Sequence, residues 1–242
     1  MAETKRARVV KIQQWQADVC HLTCAMAEPS SLGFKGGQYI IINSGKLLAN
    51  GKLGKRAYSI LSMDNQQDHF ELAIKKIVNG IGSNFMHDLK VGDTFEFSGP
   101  WGQYHSGHLV QEERVLCIAT DTGVTAALGL FRSQVLKPFL GMSKLLWFVS
   151  SKNYFIPTDL VPADTILCPM VKDESRIPFI LEQVQHFVGQ KVFTKIYLSG
   201  DGIVLRTLKE QLLATGQYVQ EQVFVESFFH HESLKTAATA RT

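Results

Sequence analysis

The 242-residue sequence is short of cysteine, of excess charge and of long apolar runs, and each shortage removes a class of protein. Its four cysteines, Cys20, Cys24, Cys117 and Cys168, are too few for a disulfide framework in a chain this long and lack the close spacing of a zinc or iron–sulfur site. Buried free thiols are the expectation. No apolar run approaches the roughly 18 residues that span a bilayer, and the opening MAETKRARVV has no signal-peptide core, so a cytoplasmic protein without membrane insertion is expected. The formal net charge of +3 is small for a nucleic-acid binder. Lys5, Arg6, Arg8 and Lys11 read instead as the solvated edge of a strand. The histidines of HSGH at 105–108 and HH at 230–231 have no third ligand at a sensible spacing, so no metal is expected, and no serine or cysteine triad stands out.

What is present is apolar residue enough, at 45%, for two cores, and a length that favours two domains at roughly 100 to 200 residues each. Up to about residue 105 short strand-like runs alternate with Gly, Asn, Asp and Pro: RARVVKIQQW, VCHLTCAMA, GGQYIIIN, RAYSILSM, HFELAIKKIV and DTFEFSG. Six such strands, with one brief helical insert from Gly82, predict a small closed antiparallel β-barrel. After GPWGQYHSGH the rhythm changes. Continuous apolar strands RVLCIAT, KLLWFVS, DTILCP and KIYLSG alternate with TAALGLFRSQVL, RIPFILEQVQHFV and IVLRTLKEQLLA, and EQVFVESFF closes the series. Val204, Leu208 and Leu212 form the stripe of a helix packed on a sheet. This pattern predicts a Rossmann-like α/β domain with a parallel sheet, and a crevice at the carboxyl ends of its strands. The expected division is 1–106, 107–231 and a flexible C-terminal tail at 232–242.

Two stretches suggest chemistry. In RAYS at 56–59, strand alternation points Arg56 and Tyr58 one way and Ser59 the other. About 25 residues later, two glycines and Ser83 precede a short helix in NGIGSNFMHDLKVGD, where free amides and a helix dipole suit an anion. The simpler reading of Ser83 is a plain N-cap.

With GQY (37–39), RAYS (56–59), GIGSNFMHDLKVGD (80–93), GPWGQY (99–104), TGVTAALGL (122–130), YLSG (197–200) and VESFF (225–229) in this order, the chain resembles the ferredoxin-NADP reductase superfamily of flavin-dependent enzymes, from about residue 8 to 231. The resemblance implies FAD, with FMN possible, held by the barrel. Tyr58 would lie on the flavin ring, Arg56 would neutralise the pyrophosphate with Gly82 and Ser83, and Ser59 would address the flavin N5 position. Ile74 and Lys75 would adjoin the cofactor, and Phe229, or its neighbour Phe228, would cover the ring face opposite Tyr58. Glu226 and Ser199 would stand by the nicotinamide of NADPH or NADH, with Thr122 and Gly123 in the dinucleotide turn.

The same resemblance carries two departures. Where the family has a G-x-G-x-x-P turn this chain reads DTGVTA, with Asp121 in place of a glycine; its carboxylate either faces the pyrophosphate and repels it, or turns away and caps the next helix. In SGDG at 199–202, Ser199 replaces a family cysteine. Lys152, Lys172 and Arg176 tilt the expected coenzyme toward NADPH. The implied activity is hydride transfer from NAD(P)H to FAD and electron delivery to a separate acceptor protein, a ferredoxin, a flavodoxin or an oxygenase component. The alternatives are a reductase dedicated to one oxygenase-type partner, and a flavin-binding regulatory or relay protein that has lost coenzyme binding through Asp121.

Overall fold

The computed structural model describes residues 3–28, 30–48, 51–110, 112–150, 154–189 and 193–229. Alternation organises the first half. In β1 (Lys5–Gln16) Ala7 and Val9 point inward while Arg6, Arg8 and Val10 face solvent; β1 is paired on both sides, so the basic residues form a solvated face and not the expected edge. β1 joins β2 (Val19–Met26), β3 (Tyr39–Leu47), β4 (Leu53–Ser59), β5 (His69–Lys75) and β6 (Thr94–Trp101) in one antiparallel sheet of order β4-β3-β6-β1-β2-β5. Helix α1 (Ile81–Asp88) is the insert between β5 and β6. The sheet wraps around a core that includes Leu22, Ile40, Ile42, Phe70, Phe95 and Phe97.

The barrel is not closed. β4 and β5 end the strand order without pairing as a ladder. They are joined beyond β4, where Leu61 N–H donates to Glu71 O at 2.9 Å and Glu71 N–H donates to Ser62 Oγ at 3.2 Å. A barrel-like sheet with one open seam leaves β4 with no ladder partner on its outer side.

The second half is a five-stranded parallel sheet of β7 (Val115–Thr120), β8 (Lys144–Val149), β9 (Ile166–Pro169), β10 (Lys195–Asp201) and β11 (Val223–Phe229), in the order β11-β10-β7-β8-β9. The order reverses between β7 and β10, the point at which open parallel sheets take ligands. Every residue of β7 is buried, as expected of a strand covered on both faces. Helices α3 (Arg176–Val188) and α4 (Gly202–Ala214) pack on one face, and α4 buries the expected Val204, Leu208 and Leu212.

The other face carries α2 (Val124–Phe131), all eight residues of which are buried. A helix apolar all round has no solvent side, and α2 lies between the sheet and the barrel, where Ala126, Ala127 and Leu130 share a cluster with Leu61 and Ala73. It is shorter than the TAALGLFRSQVL stretch suggested: the chain turns at Arg132 and Ser133, and Arg132 Nη1 donates to Leu61 O at 3.0 Å and lies 3.7 Å from the Glu71 carboxylate. All four cysteines are buried free thiols, and burial raises Cys20 to about 11 and Cys24 to about 12. Among the described residues no helix is long and apolar enough to cross a membrane.

The helix meets the barrel backbone to backbone. A Cβ built on Gly129 would lie 2.3 Å from Ile60 O, and one on Gly36 would lie 2.4 Å from Gly129 O. Gly129→Ala must therefore push the two halves apart and is expected to lower stability by about 1 to 3 kcal/mol. Denaturant unfolding checks this, and an unchanged midpoint would contradict so close a contact.

Candidate functional site

The open seam of the barrel, the entry to α1, the turn after β7 and the end of β11 enclose a cavity of about 640 Å³. Its lining brings together Arg56, Tyr58, Ser59, Lys75, Ser83, Thr122 and Glu226, residues drawn from both sheets. A cleft of this size with a few convergent polar groups is a normal small-molecule site.

Its polar end is built on glycine. A Cβ on Gly82 would sit 2.4 Å from Arg56 Cγ, so the arginine stem crosses α1 at the one residue that leaves room for it. Gly82 supports Arg56 and does not itself line the cavity. Ser83 is not the N-cap; Gly80 occupies that position. The Ser83 hydroxyl accepts from Ile77 N–H at 3.0 Å and donates to Gly80 O at 3.2 Å, which fixes the turn that presents the first amides of α1. Arg56 is solvent-exposed and donates to Lys55 O at 2.8 Å.

Tyr58 and Ser59 follow along β4. The Tyr58 ring is half-buried, and its burial holds the phenol well above its usual pKa. Ser59 is 5% exposed, yet its hydroxyl has no hydrogen-bond partner among the described residues. An unmet buried hydroxyl is costly unless something else meets it. Lys75 lines the cavity, whereas Ile74 points into the barrel core.

The facing wall comes from β11. Glu226 is half-buried, and burial pushes its carboxyl up to about 7. Gly102, at φ 102°, leaves space for it: a Cβ there would lie 3.1 Å from Glu226 Oε2 and 3.0 Å from the Tyr39 ring. Phe228 lines the cavity on the same strand, while the Phe229 side chain lies outside the described residues. Sequence reasoning gave no role to Tyr39, Thr125 or Phe155, which also line it. Tyr39 stood in the GQY motif, but Phe155 comes from a loop with no periodic signal.

Gly123 and Ser199 stand behind the cavity, outside its lining. Ser199 is fully buried and its hydroxyl donates to Gly123 O at 2.9 Å; a Cβ on Gly123 would lie 2.3 Å from Ser199 O. The pair bolts β10 to the turn after β7, and the Ser199 hydroxyl is spent on that bolt.

Asp121 does not cap the next helix. Its φ of 46° is left-handed, which explains why glycine suits the position and why aspartate is tolerated there. Its carbonyl accepts from Trp147 Nε1–H at 2.9 Å, and its Oδ1 accepts from both Ser150 N–H at 2.9 Å and Ser150 Oγ–H at 2.6 Å. The carboxylate is thus bound at the end of β8, and helix α2 has Gly123 as its N-cap with no side-chain cap. The relay alternative had Asp121 repelling the pyrophosphate; the carboxylate is anchored by Ser150 instead of being free to swing. Of the cations expected near the coenzyme, Arg176 pairs with Asp201 at 3.3 Å, Lys172 is exposed, and Lys152 lies outside the described residues.

Glu226 gives a test with a definite sign. A carboxyl whose pKa is raised on folding costs stability as pH rises from its unfolded value toward its folded one. Stability should therefore fall between about pH 4.5 and about pH 7, and Glu226→Gln should remove that fall. Melting curves across this range check it; parallel profiles for the two proteins would count against a raised Glu226.

Residues 6–105 match the family described as Oxidoreductase FAD-binding domain. The chain is 30% identical over 153 residues to Ferredoxin--NADP reductase B of Sorangium cellulosum (strain So ce56), covering 63% of this chain and 60% of that protein. It is 30% identical over 128 residues to the reductase component of propane 2-monooxygenase of Gordonia sp. (strain TY-5), covering 52% of this chain and 35% of that protein. The chain thus spans less than two thirds of these relatives' lengths. A ferredoxin NADP+ reductase from Neisseria gonorrhoeae, solved with bound FAD and NADP, shares the fold with a TM-score of 0.74 at 18% identity, over 95% of this chain and 100% of that one. In motif order, in sequence over its first half and in fold, the chain is thus similar to ferredoxin-NADP reductases and to the reductase components of oxygenases.

Proposed function

We propose that this protein is an NAD(P)H-dependent flavin oxidoreductase that holds FAD in the seam cavity, with residues 1–106 as the flavin part and 107–231 as the coenzyme part. The observation that carries the reading is the buried, unpartnered Ser59 hydroxyl in a cavity that also holds a half-buried tyrosine and an arginine propped on glycine. These residues fit the group: an aromatic ring for stacking, a guanidinium for phosphate, and a donor for a ring nitrogen. When bound, FAD supplies two-electron acceptance from a nicotinamide and release of those electrons onward.

The chain's own residues do the rest. Arg56 and the amides at the start of α1 would hold the anionic part, Tyr58 would offer its ring for stacking, and Lys75 would adjoin the group. The unpartnered Ser59 hydroxyl would donate its proton to a ring nitrogen. Glu226 and Phe228 narrow the opposite side, where Glu226, with a carboxyl pKa near neutrality, can donate or accept a hydrogen bond to an incoming amide. Ser199 and Gly123 act as positioning residues, since their mutual bond sets the turn that presents Thr122. The acceptor is a separate protein, a ferredoxin, a flavodoxin or an oxygenase component, in keeping with the names of the relatives. A cytoplasmic setting belongs to this reading and is supported by the four thiols, all free and buried.

Anaerobic addition of NADH and of NADPH to the flavin-loaded protein should bleach the flavin band, and a band that neither coenzyme bleaches would overturn the reading. Ser59→Ala should keep its flavin yet be reduced about ten- to a hundredfold more slowly. Tyr58→Ala should lose flavin on gel filtration; full retention would argue against stacking.

A further inference from the structure

The bound carboxylate of Asp121 bears on which nicotinamide coenzyme the second sheet accepts. In a sheet of this order, the dinucleotide crosses the carboxyl ends of the strands at the switch between β7 and β10, with its pyrophosphate at the start of the helix after the first strand. The adenosine ribose then lies over the end of the second strand, where a carboxylate can grip the free 2′-hydroxyl and a cation can accept a 2′-phosphate. Here the first strand is β7 and the second is β8, which ends at Val149.

At that end stands Ser150, and both its N–H and its hydroxyl are donated to Asp121 Oδ1. Both Ser150 donors are thus already taken by an anion. The carboxylate is held there from two sides: the left-handed turn fixes its backbone, and Trp147 ties down its carbonyl from within β8 itself. Arg176, at the start of α3, is engaged by Asp201.

We infer that Asp121 is a specificity-determining residue that makes this chain prefer the unphosphorylated coenzyme, NADH, by setting a carboxylate against the 2′-phosphate position. This reverses the lean to NADPH drawn from Lys152, Lys172 and Arg176, and it rests on the coenzyme role proposed for residues 107–231. A carboxylate accepts hydrogen bonds from a ribose diol and repels a phosphate dianion, so the two coenzymes are pushed in opposite directions by one group.

The test is binding of the adenylate halves to the flavin-loaded protein by isothermal titration calorimetry, with 5′-AMP against adenosine 2′,5′-bisphosphate. Wild type should bind 5′-AMP about tenfold or more tightly than the bisphosphate. Asp121→Asn should close that gap through tighter bisphosphate binding, and Asp121→Gly, which keeps the left-handed turn, should do the same. The inference is overturned if wild type favours the bisphosphate, if neither adenylate binds, or if both folded variants keep the wild-type ratio. The wild-type comparison stands alone should either variant fail to fold. Because the readout is adenylate binding, failure of the flavin to bleach would strike the proposed function while leaving this result intact.

Discussion

Everything in this molecule that can meet a ligand depends on how closely α2 lies on the barrel. Gly129 meets Ile60 O and Gly36 with no side chain between them, and Arg132 at the end of the helix reaches back to Leu61 O. Side chains at either glycine would add a layer of atoms to the contact, and every residue on β11 or the β7 turn would retreat from β4 by a comparable amount. Burial of all of α2 follows from the same contact, because a helix clasped on both sides has no face left for polar residues.

The cavity is what remains when two curved surfaces are clasped at one place and diverge at another. The barrel contributes the edge that its open seam leaves uncovered, and the parallel sheet contributes its switch point. Neither half alone assembles the groups: Ser59 and Arg56 come from the first, Glu226 and Thr122 from the second. Glycines recur around it for one reason, close approach, whether of an arginine stem at Gly82 or of a carboxylate and a tyrosine ring at Gly102. Among the polar groups of the cavity, the Ser59 hydroxyl is held with its own hydrogen bond unspent among the described residues.

How much of this could be read in advance follows the range of the interactions. The six strands, the insert and α3 and α4 were legible because alternation and helical periodicity are local, and α4 buried the three residues its stripe named. The open seam was not, since closure depends on how two strands far apart in sequence meet, and α2 was read too long because an apolar run does not announce where it turns. Within the site, Arg56, Tyr58, Ser59 and Glu226 were marked by motif and do line one cavity. Ser199, Gly123 and Ile74 were marked by the same route but stand behind it. Asp121 could not be placed at all, because the partner that claims its carboxylate, Ser150, is 29 residues away.

The four thiols have a practical consequence. Cys20 and Cys24 are sealed in the barrel core, while Cys117 and Cys168 belong to the two apolar layers of the parallel sheet. All four are buried, Cys168 least deeply at 8% exposure, so alkylation is slow until the fold opens. The order in which the four sites are modified therefore separates loosening of one half from loosening of the other, a record of local unfolding written by the native sequence without any engineered probe.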